Sequence, residues 1–166
     1  ILINGTRRKV GLNIIPMDTK SLKEMFMALR RNELVFLLFD RPDVENGVPV
    51  LFFGETAYLP GGPAALAIKT GAAISIGYSY RKPGGTTFQA VAAPEVEYRH
   101  LLTGDKARDI QRVTQEIVCR MESIIREHPE QWYMFREMWP RTEQHNAEVK
   151  RRRFWGGKSD VSVARG

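Results

Sequence analysis

Residues 34–43 read LVFLLFDRPD, and the reading of that run decides the fold. Leu34 to Phe39 are six apolar residues without polar alternation, the pattern of a strand covered on both faces. Asp40, Arg41 and Pro42 follow at its carboxyl end. Working outward, VPVLFF at 48–53 reads as another strand, and Gly61 to about Thr70 as a helix stopped by Gly71. AISIGYSY at 73–80 and TTFQAVAA at 86–93 read as strands joined by a Lys-Pro-Gly-Gly turn. On the amino side, VGLNII at 10–15 reads as a short strand closed by Pro16. Ser21 and Glu24 then have capping-box spacing ahead of Leu22, Met25, Phe26 and Leu29, so a helix is expected to about Arg31-Asn32. The clearest helix starts near Thr103–Asp105 and carries Ile110, Val113, Ile117, Met121, Ile124 and Ile125 at helical spacing until His128-Pro129. A further short helix is expected within 130–139. This alternation predicts an α/β class with a mostly parallel sheet flanked by helices.

The chain has 166 residues, 43% of them hydrophobic and 27% charged, which is the balance of one globular unit. Its net charge of +6 is uneven: residues 141–166 hold seven Lys/Arg against three acids. Residues 1–140 are therefore expected to form the α/β domain, nearly neutral, and 141–166 a basic, weakly ordered tail. The single Cys119 excludes an internal disulfide and a cysteine-rich metal site; no metal is expected. No apolar run approaches the ~20 residues of a membrane span, and ILINGTRRKVG lacks the order of a signal peptide. A phosphate loop with its Lys-Ser/Thr is also missing, which removes support for nucleotide hydrolysis.

Ligands of α/β folds gather outside the carboxyl ends of strands. Two stretches are expected there, Asp40-Arg41 and the Phe53-Gly54-Glu55-Thr56 loop, and both are expected to face one crevice. Asp40 and Arg41 either pair locally, or Arg41 offers its guanidinium fork to phosphate or carboxylate. Glu55 is either a solvated or helix-start acid, or an acceptor for substrate hydroxyls. Gly61-Gly62 mark a helix start, or bring their amides to a ligand. His128 at a helix end reads as structural and His145 as solvated. His100 and Asp105 match a His-x-x-x-x-Asp spacing in which an imidazole takes a hydroxyl proton while the carboxylate orients it. Asp105 or Thr103 equally suits a helix cap.

The ordered set LRRNELVFLLFDRPD (29–43), VPVLFFGETAYLPGGPAALAIKTGAAI (48–74) and HPEQWYMFREMW (128–139) resembles the bacterial lysophospholipid acyltransferase superfamily. Its nearest branch is that of the lipid A biosynthesis and phosphatidylinositol mannoside acyltransferases. The resemblance covers roughly residues 10–140. It implies an O-acyltransferase that moves a fatty acyl chain from acyl-CoA or acyl carrier protein, its co-substrate, to a hydroxyl of a lipid or glycolipid. No bound cofactor is implied. It further implies substrate contacts at Asp40, Arg41, Phe53, Gly54, Glu55 and Thr56, and a peripheral place on the cytoplasmic face of the cell membrane. In that family the catalytic dyad precedes the Asp-Arg strand, whereas residues 1–39 contain no histidine. His100 and Asp105 fall on the wrong side of the motif order and are read as a decoy. The chain is thus expected to be the carboxyl-terminal part of such an enzyme, inactive alone, with the catalytic base on a segment outside it. Phe135 and Glu137 depart from the His-Arg-Arg of many lipid A enzymes, which leaves other acceptors open.

Lys150, Arg151, Arg152, Arg153, Phe154 and Trp155 join cations to aromatics, either as a solvated end or as a contact with anionic headgroups. Two other classes of function stay open: a non-catalytic lipid-binding module, and a nucleic-acid-binding protein whose tail meets phosphates. The nearly neutral body opposes the latter, and no nucleic acid is expected as a partner.

Overall fold

The computed structural model describes residues 2–15 and 21–139. Four helices, α1 (Leu2–Lys9), α2 (Ser21–Arg30), α3 (Gly62–Thr70) and α4 (Lys106–Glu127), accompany four strands, β1 (Val48–Phe52), β2 (Glu55–Leu59), β3 (Gly77–Arg81) and β4 (Phe88–Ala92). The strands form two separate two-stranded sheets, β1 with β2 and β3 with β4, and both are antiparallel. The expected parallel sheet is therefore corrected: every strand pair among the described residues is a hairpin.

Helix α4 is the spine. It is 22 residues long, about 33 Å at 1.5 Å per residue. Asp105 is its N-cap, accepting the Arg108 N–H at 3.0 Å. Val118, Met121 and Ile125 pack with Val50, Phe52, Ala57 and Leu59 of the first hairpin and with Met138. One turn earlier, Val113 and Ile117 pack with Ala64, Ala67, Val96 and Tyr98. Phe39 touches both clusters and so wedges the preceding segment between them. The Tyr98 hydroxyl, 2.9 Å from the Ala72 carbonyl oxygen and 3.0 Å from that of Ala67, ties the end of α3 to this second cluster.

Helix ends follow local chemistry. In α2, Asn32 takes φ 61°, and the Asn32 and Glu33 N–H groups donate back to Leu29 and Ala28. That is a Schellman closure. The chain before it differs from the expected strand at 10–15. Leu2–Lys9 is helical, and Gly11 at φ 86° closes it in the same way, with Gly11 and Leu12 donating to Arg8 and Arg7. Residues 12–15 have no regular structure, and Pro16 lies outside the described residues. The expected short helix at 130–139 is only a 3₁₀ turn, Pro129–Gln131.

The largest correction concerns Leu34–Phe39. This run is not a paired strand, because no other strand of the described residues lies against it. Val35 and Phe39 are half-buried, but Leu34, Phe36 and Leu38 are 77%, 74% and 76% exposed. A run of apolar residues specifies cover on both faces but does not itself supply the neighbours that give it.

The residues that restrain β1 come from α4 rather than from a strand. Gln115 accepts the Leu51 N–H at 2.8 Å and donates to the Leu51 carbonyl at 2.9 Å. Gln111 donates to the Pro49 carbonyl, and Pro49 has no donor of its own to leave orphaned. Side chains on one helical face thus close the outer edge of β1, which otherwise would offer itself for pairing.

Candidate functional site

The Phe53-Gly54 segment is not the strand-to-helix loop that the sequence suggests. Phe52 pairs with Glu55 in the hairpin register, so Phe53 and Gly54 form a two-residue turn and Glu55 and Thr56 begin β2. Both turn residues have positive φ, 52° at Phe53 and 84° at Gly54, as a type I′ turn requires. Asparagine is the usual first residue of such a turn, which is why a phenylalanine there hides the hairpin from a reader of the sequence.

The turn is held by α4 and by the segment after it. The Phe53 N–H donates to Glu122 at 2.7 Å. Glu122 also pairs with Arg126 at 3.1 Å, and the Arg126 guanidinium lies 5.0 Å from the centre of the Phe53 ring. The Phe52 and Phe53 rings are 4.7 Å apart, Trp132 meets Phe52 edge-on at 5.6 Å, and Trp139 stacks on it at 5.7 Å. The Trp139 indole donates to the Phe52 carbonyl at 2.9 Å. Trp132 keeps its indole N–H buried without a partner among the described residues. Trp132 and Trp139 lie in the HPEQWYMFREMW stretch that carries the resemblance, whereas the sequence does not single out Glu122 or Arg126. The available signal for these two is the spacing of Gln115, Glu122 and Arg126 along one side of α4.

Asp40 and Arg41 do not follow a formed strand. They end the extended Leu34–Phe39 segment, with Asp40 half-buried and Arg41 exposed. Three residues on from Asp40, the Asp43 N–H donates to the Tyr58 carbonyl at 2.8 Å, which ties this segment to β2. Phe39, beside Asp40, and Phe53, beside Gly54, pack against the same apolar cluster. The side chains of Asp40, Arg41, Glu55 and Thr56 make no hydrogen bond or ion pair among the described residues. These four polar groups are unspent; Glu55 pairs with buried Phe52 and Thr56 with exposed Leu51, so the two leave opposite faces of the hairpin.

His100 and Asp105 have other surroundings. His100 is exposed in a 3₁₀ turn, Arg99–Leu101, and the Asp105 carboxylate caps α4. Nearby, buried Asp109 accepts the Thr103 N–H at 2.8 Å, the Thr103 hydroxyl at 2.7 Å and the Gly104 N–H at 3.0 Å. The Thr103 backbone N–H, reinforced by the other two donors, holds its carboxyl below the usual carboxylate range. This carboxylate fixes the loop before α4 and is fully committed there. His128 ends α4 and stacks on Tyr80 at 4.1 Å.

Gly61 is the N-cap residue of α3. A Cβ there would lie 2.6 Å from Val48 Cγ2 and 2.9 Å from Ile110 Cγ2. Close packing between β1 and α4 accounts for this glycine without a ligand. Among the described residues, no group of three or more His, Cys, Asp or Glu is placed to hold a metal, and no helix is long and apolar enough to cross a membrane. Lys150, Arg151, Arg152, Arg153, Phe154 and Trp155 lie outside the described residues, as does the rest of 141–166.

A family model described as bacterial lipid A biosynthesis acyltransferase matches residues 1–141. Among curated proteins, the phosphatidylinositol mannoside acyltransferase of Mycobacterium tuberculosis is 29% identical over 136 residues, 80% of this chain and 40% of that protein. The protein of the same description from Mycolicibacterium smegmatis is 27% identical over 136 residues, 80% of this chain and 42% of that one. The chain spans about two fifths of the length of these relatives.

Proposed function

The chain belongs to the bacterial lipid A biosynthesis acyltransferase family, and from that premise we propose that it is part of an enzyme moving a fatty acyl chain to a hydroxyl of a lipid or glycolipid. Acyl-CoA or acyl carrier protein serves as the donor, with no bound cofactor. In the reaction the acceptor hydroxyl oxygen attacks the thioester carbonyl carbon, a base takes the hydroxyl proton, and the C–S bond breaks to release the thiol. This chain contributes the binding surface. The reading is supported by the absence of any hydrogen bond or ion pair at Asp40, Arg41, Glu55 and Thr56 among the described residues, in segments whose Phe39 and Phe53 pack on one apolar cluster. An amphiphile with an apolar chain and a hydroxylated or anionic head needs that combination. Arg41 suits an anionic head, and Glu55 accepts hydroxyl hydrogen bonds.

The catalytic base comes from polypeptide outside residues 1–166, and the 166-residue chain alone has no activity. Asp105 caps α4 through the Arg108 N–H, and among the described residues no hydrogen bond or ion pair joins it to His100. The enzyme works at the cytoplasmic face of the membrane, held peripherally, with Lys150–Trp155 on anionic headgroups. The test is a transfer assay with labelled acyl-CoA and a lysophospholipid or glycolipid acceptor. The 166-residue chain is expected to give background rates, and the product of the complete reading frame to give turnover that Glu55→Gln lowers about tenfold or more, the loss of ~1.4 kcal/mol of transition-state binding. Turnover by the 166-residue chain that His100→Ala abolishes would place the dyad at His100–Asp105 instead. Vesicle flotation of chains with and without 141–166 tests the tail.

A further inference from the structure

Leu34–Phe39 is the most exposed apolar stretch of the molecule's described part. The exposures alternate: Leu34, Phe36 and Leu38 stand at 74–77%, while Val35 and Phe39 are half-buried and Leu37 is 38% exposed. This period of two is that of a strand with one face seated and the other bare. The seated face is anchored, since Phe39 wedges between both core clusters. Among the described residues, none of the backbone N–H or C=O groups from Leu34 to Phe39 is hydrogen-bonded. Charges occur only at the ends, Glu33 and Asp40.

In a lipid enzyme, bare apolar side chains suggest a membrane contact. The backbone argues against that here. An extended segment carries its amides unsatisfied into hydrocarbon, and each unpaired group there costs several kcal/mol. A β-strand satisfies both needs at once, pairing the backbone and covering alternate side chains. A source for such strands is at hand: about three fifths of each curated relative lies outside the stretch matched by this chain. We infer that Leu34–Phe39 is a strand acceptor, filled by a strand of the same protein that lies outside residues 1–166. The inference rests on the reading that the chain is part of a longer acyltransferase. It adds where the remaining polypeptide docks: on the strand that ends at Asp40-Arg41, so that docking brings the outside segment to the proposed substrate contacts.

Amide hydrogen exchange tests this, comparing the 166-residue chain with the product of the complete reading frame. Amides 34–39 should exchange at least ~100-fold more slowly in the longer protein, while the Val50 and Ala57 amides of the first hairpin stay alike in both. Phe36→Lys in the longer protein should return 34–39 to fast exchange. Leu38→Lys is the second variant should the first fail to fold, with the hairpin amides reporting folding. The inference is overturned by a reading frame that adds no strand, or by equal exchange in the two proteins. Protection that rises with the concentration of the 166-residue chain would make a second copy the occupant. Protection that needs vesicles of phosphatidylcholine and phosphatidylglycerol would make it a bilayer. Acyl transfer is measured on the same samples: transfer without protection overturns the docking site alone, and protection without transfer overturns the proposed activity alone.

Discussion

Replacing Glu122 isolates what holds the Phe53-Gly54 turn in place. Its carboxylate accepts the Phe53 N–H at 2.7 Å, and only 13% of the Glu122 side chain is exposed. A hydrogen bond to a charged group contributes about 1.5–3 kcal/mol, because its loss also leaves a desolvated donor. The Glu122–Arg126 pair adds about 0.3–0.5 kcal/mol, since Arg126 is 61% exposed and solvent screens it. Without that pair Arg126 is freer to leave the Phe53 ring, a contact of roughly 0.5–1 kcal/mol at an exposed site. Glu122→Ala should therefore cost about 2–3 kcal/mol, and Glu122→Gln about 1 kcal/mol because an amide oxygen still accepts. Arg126→Ala should also cost about 1 kcal/mol, through the pair and the ring contact alone. At about 4 °C per kcal/mol for a domain of this size, Glu122→Ala lowers Tm by roughly 8–12 °C. Thermal unfolding gives the Tm, and hydrogen exchange of the Phe53 amide gives the local effect. Glu122→Ala with unchanged Tm and unchanged Phe53 exchange would refute the reasoning. Equal losses in Glu122→Ala and Arg126→Ala would do the same, since the backbone hydrogen bond would then contribute nothing.

Gly61→Ala should destabilise by about 1–3 kcal/mol through overpacking, because the new methyl meets Val48 and Ile110 at 2.6 and 2.9 Å; denaturant unfolding with an unchanged m-value checks it. Asp109 is held below the ordinary carboxylate range, so its contribution is complete above pH ~4 and is lost as pH falls through the lowered folded value. Asp109→Asn should therefore be less stable than the parent chain at pH 7, with the gap closing in acid; a gap that widens toward low pH would contradict the assignment. Phe53→Asn should relieve about 1 kcal/mol of left-handed strain and lose a similar amount of ring burial. Its Tm should stay within a few degrees of the parent, while transfer by the product of the complete reading frame falls if the ring contacts substrate.

Local signals are legible in the sequence. Gly71 stops α3, Asp105 starts α4 and Lys-Pro-Gly-Gly joins β3 to β4 because caps and turns depend on a few adjacent residues. Two local signals point the wrong way. Gly11 closes a helix behind Arg7-Arg8-Lys9, where a strand was expected, and Phe53 occupies a turn position that usually marks itself with asparagine. The parallel sheet failed for a different reason. Six apolar residues at 34–39 report a demand for cover but carry no information about which strand provides it. Nor does the sequence show that α4 seals β1 through Gln111, Gln115 and Glu122, because their partners lie 62, 64 and 69 residues away.

The disposition of polar groups bears on which acids and bases do chemistry. Asp105, Asp109, Gln115 and Glu122 sit where the scaffold has a loose backbone group, and each is engaged with one. A carboxylate that accepts backbone N–H groups is tied to the segment it closes and has fewer acceptor sites left for a ligand. Asp40, Arg41, Glu55 and Thr56 have no such duty. They also come in two pairs, each next to a phenylalanine that packs on the same cluster, Phe39 for one and Phe53 for the other. Phe53 pays for its place with a positive φ that glycine or asparagine would tolerate more easily. The ring offsets that strain through its contacts with Phe52 at 4.7 Å and the Arg126 guanidinium at 5.0 Å, which leaves Glu55 and Thr56, rather than the phenylalanine, as the residues of this hairpin without a structural duty.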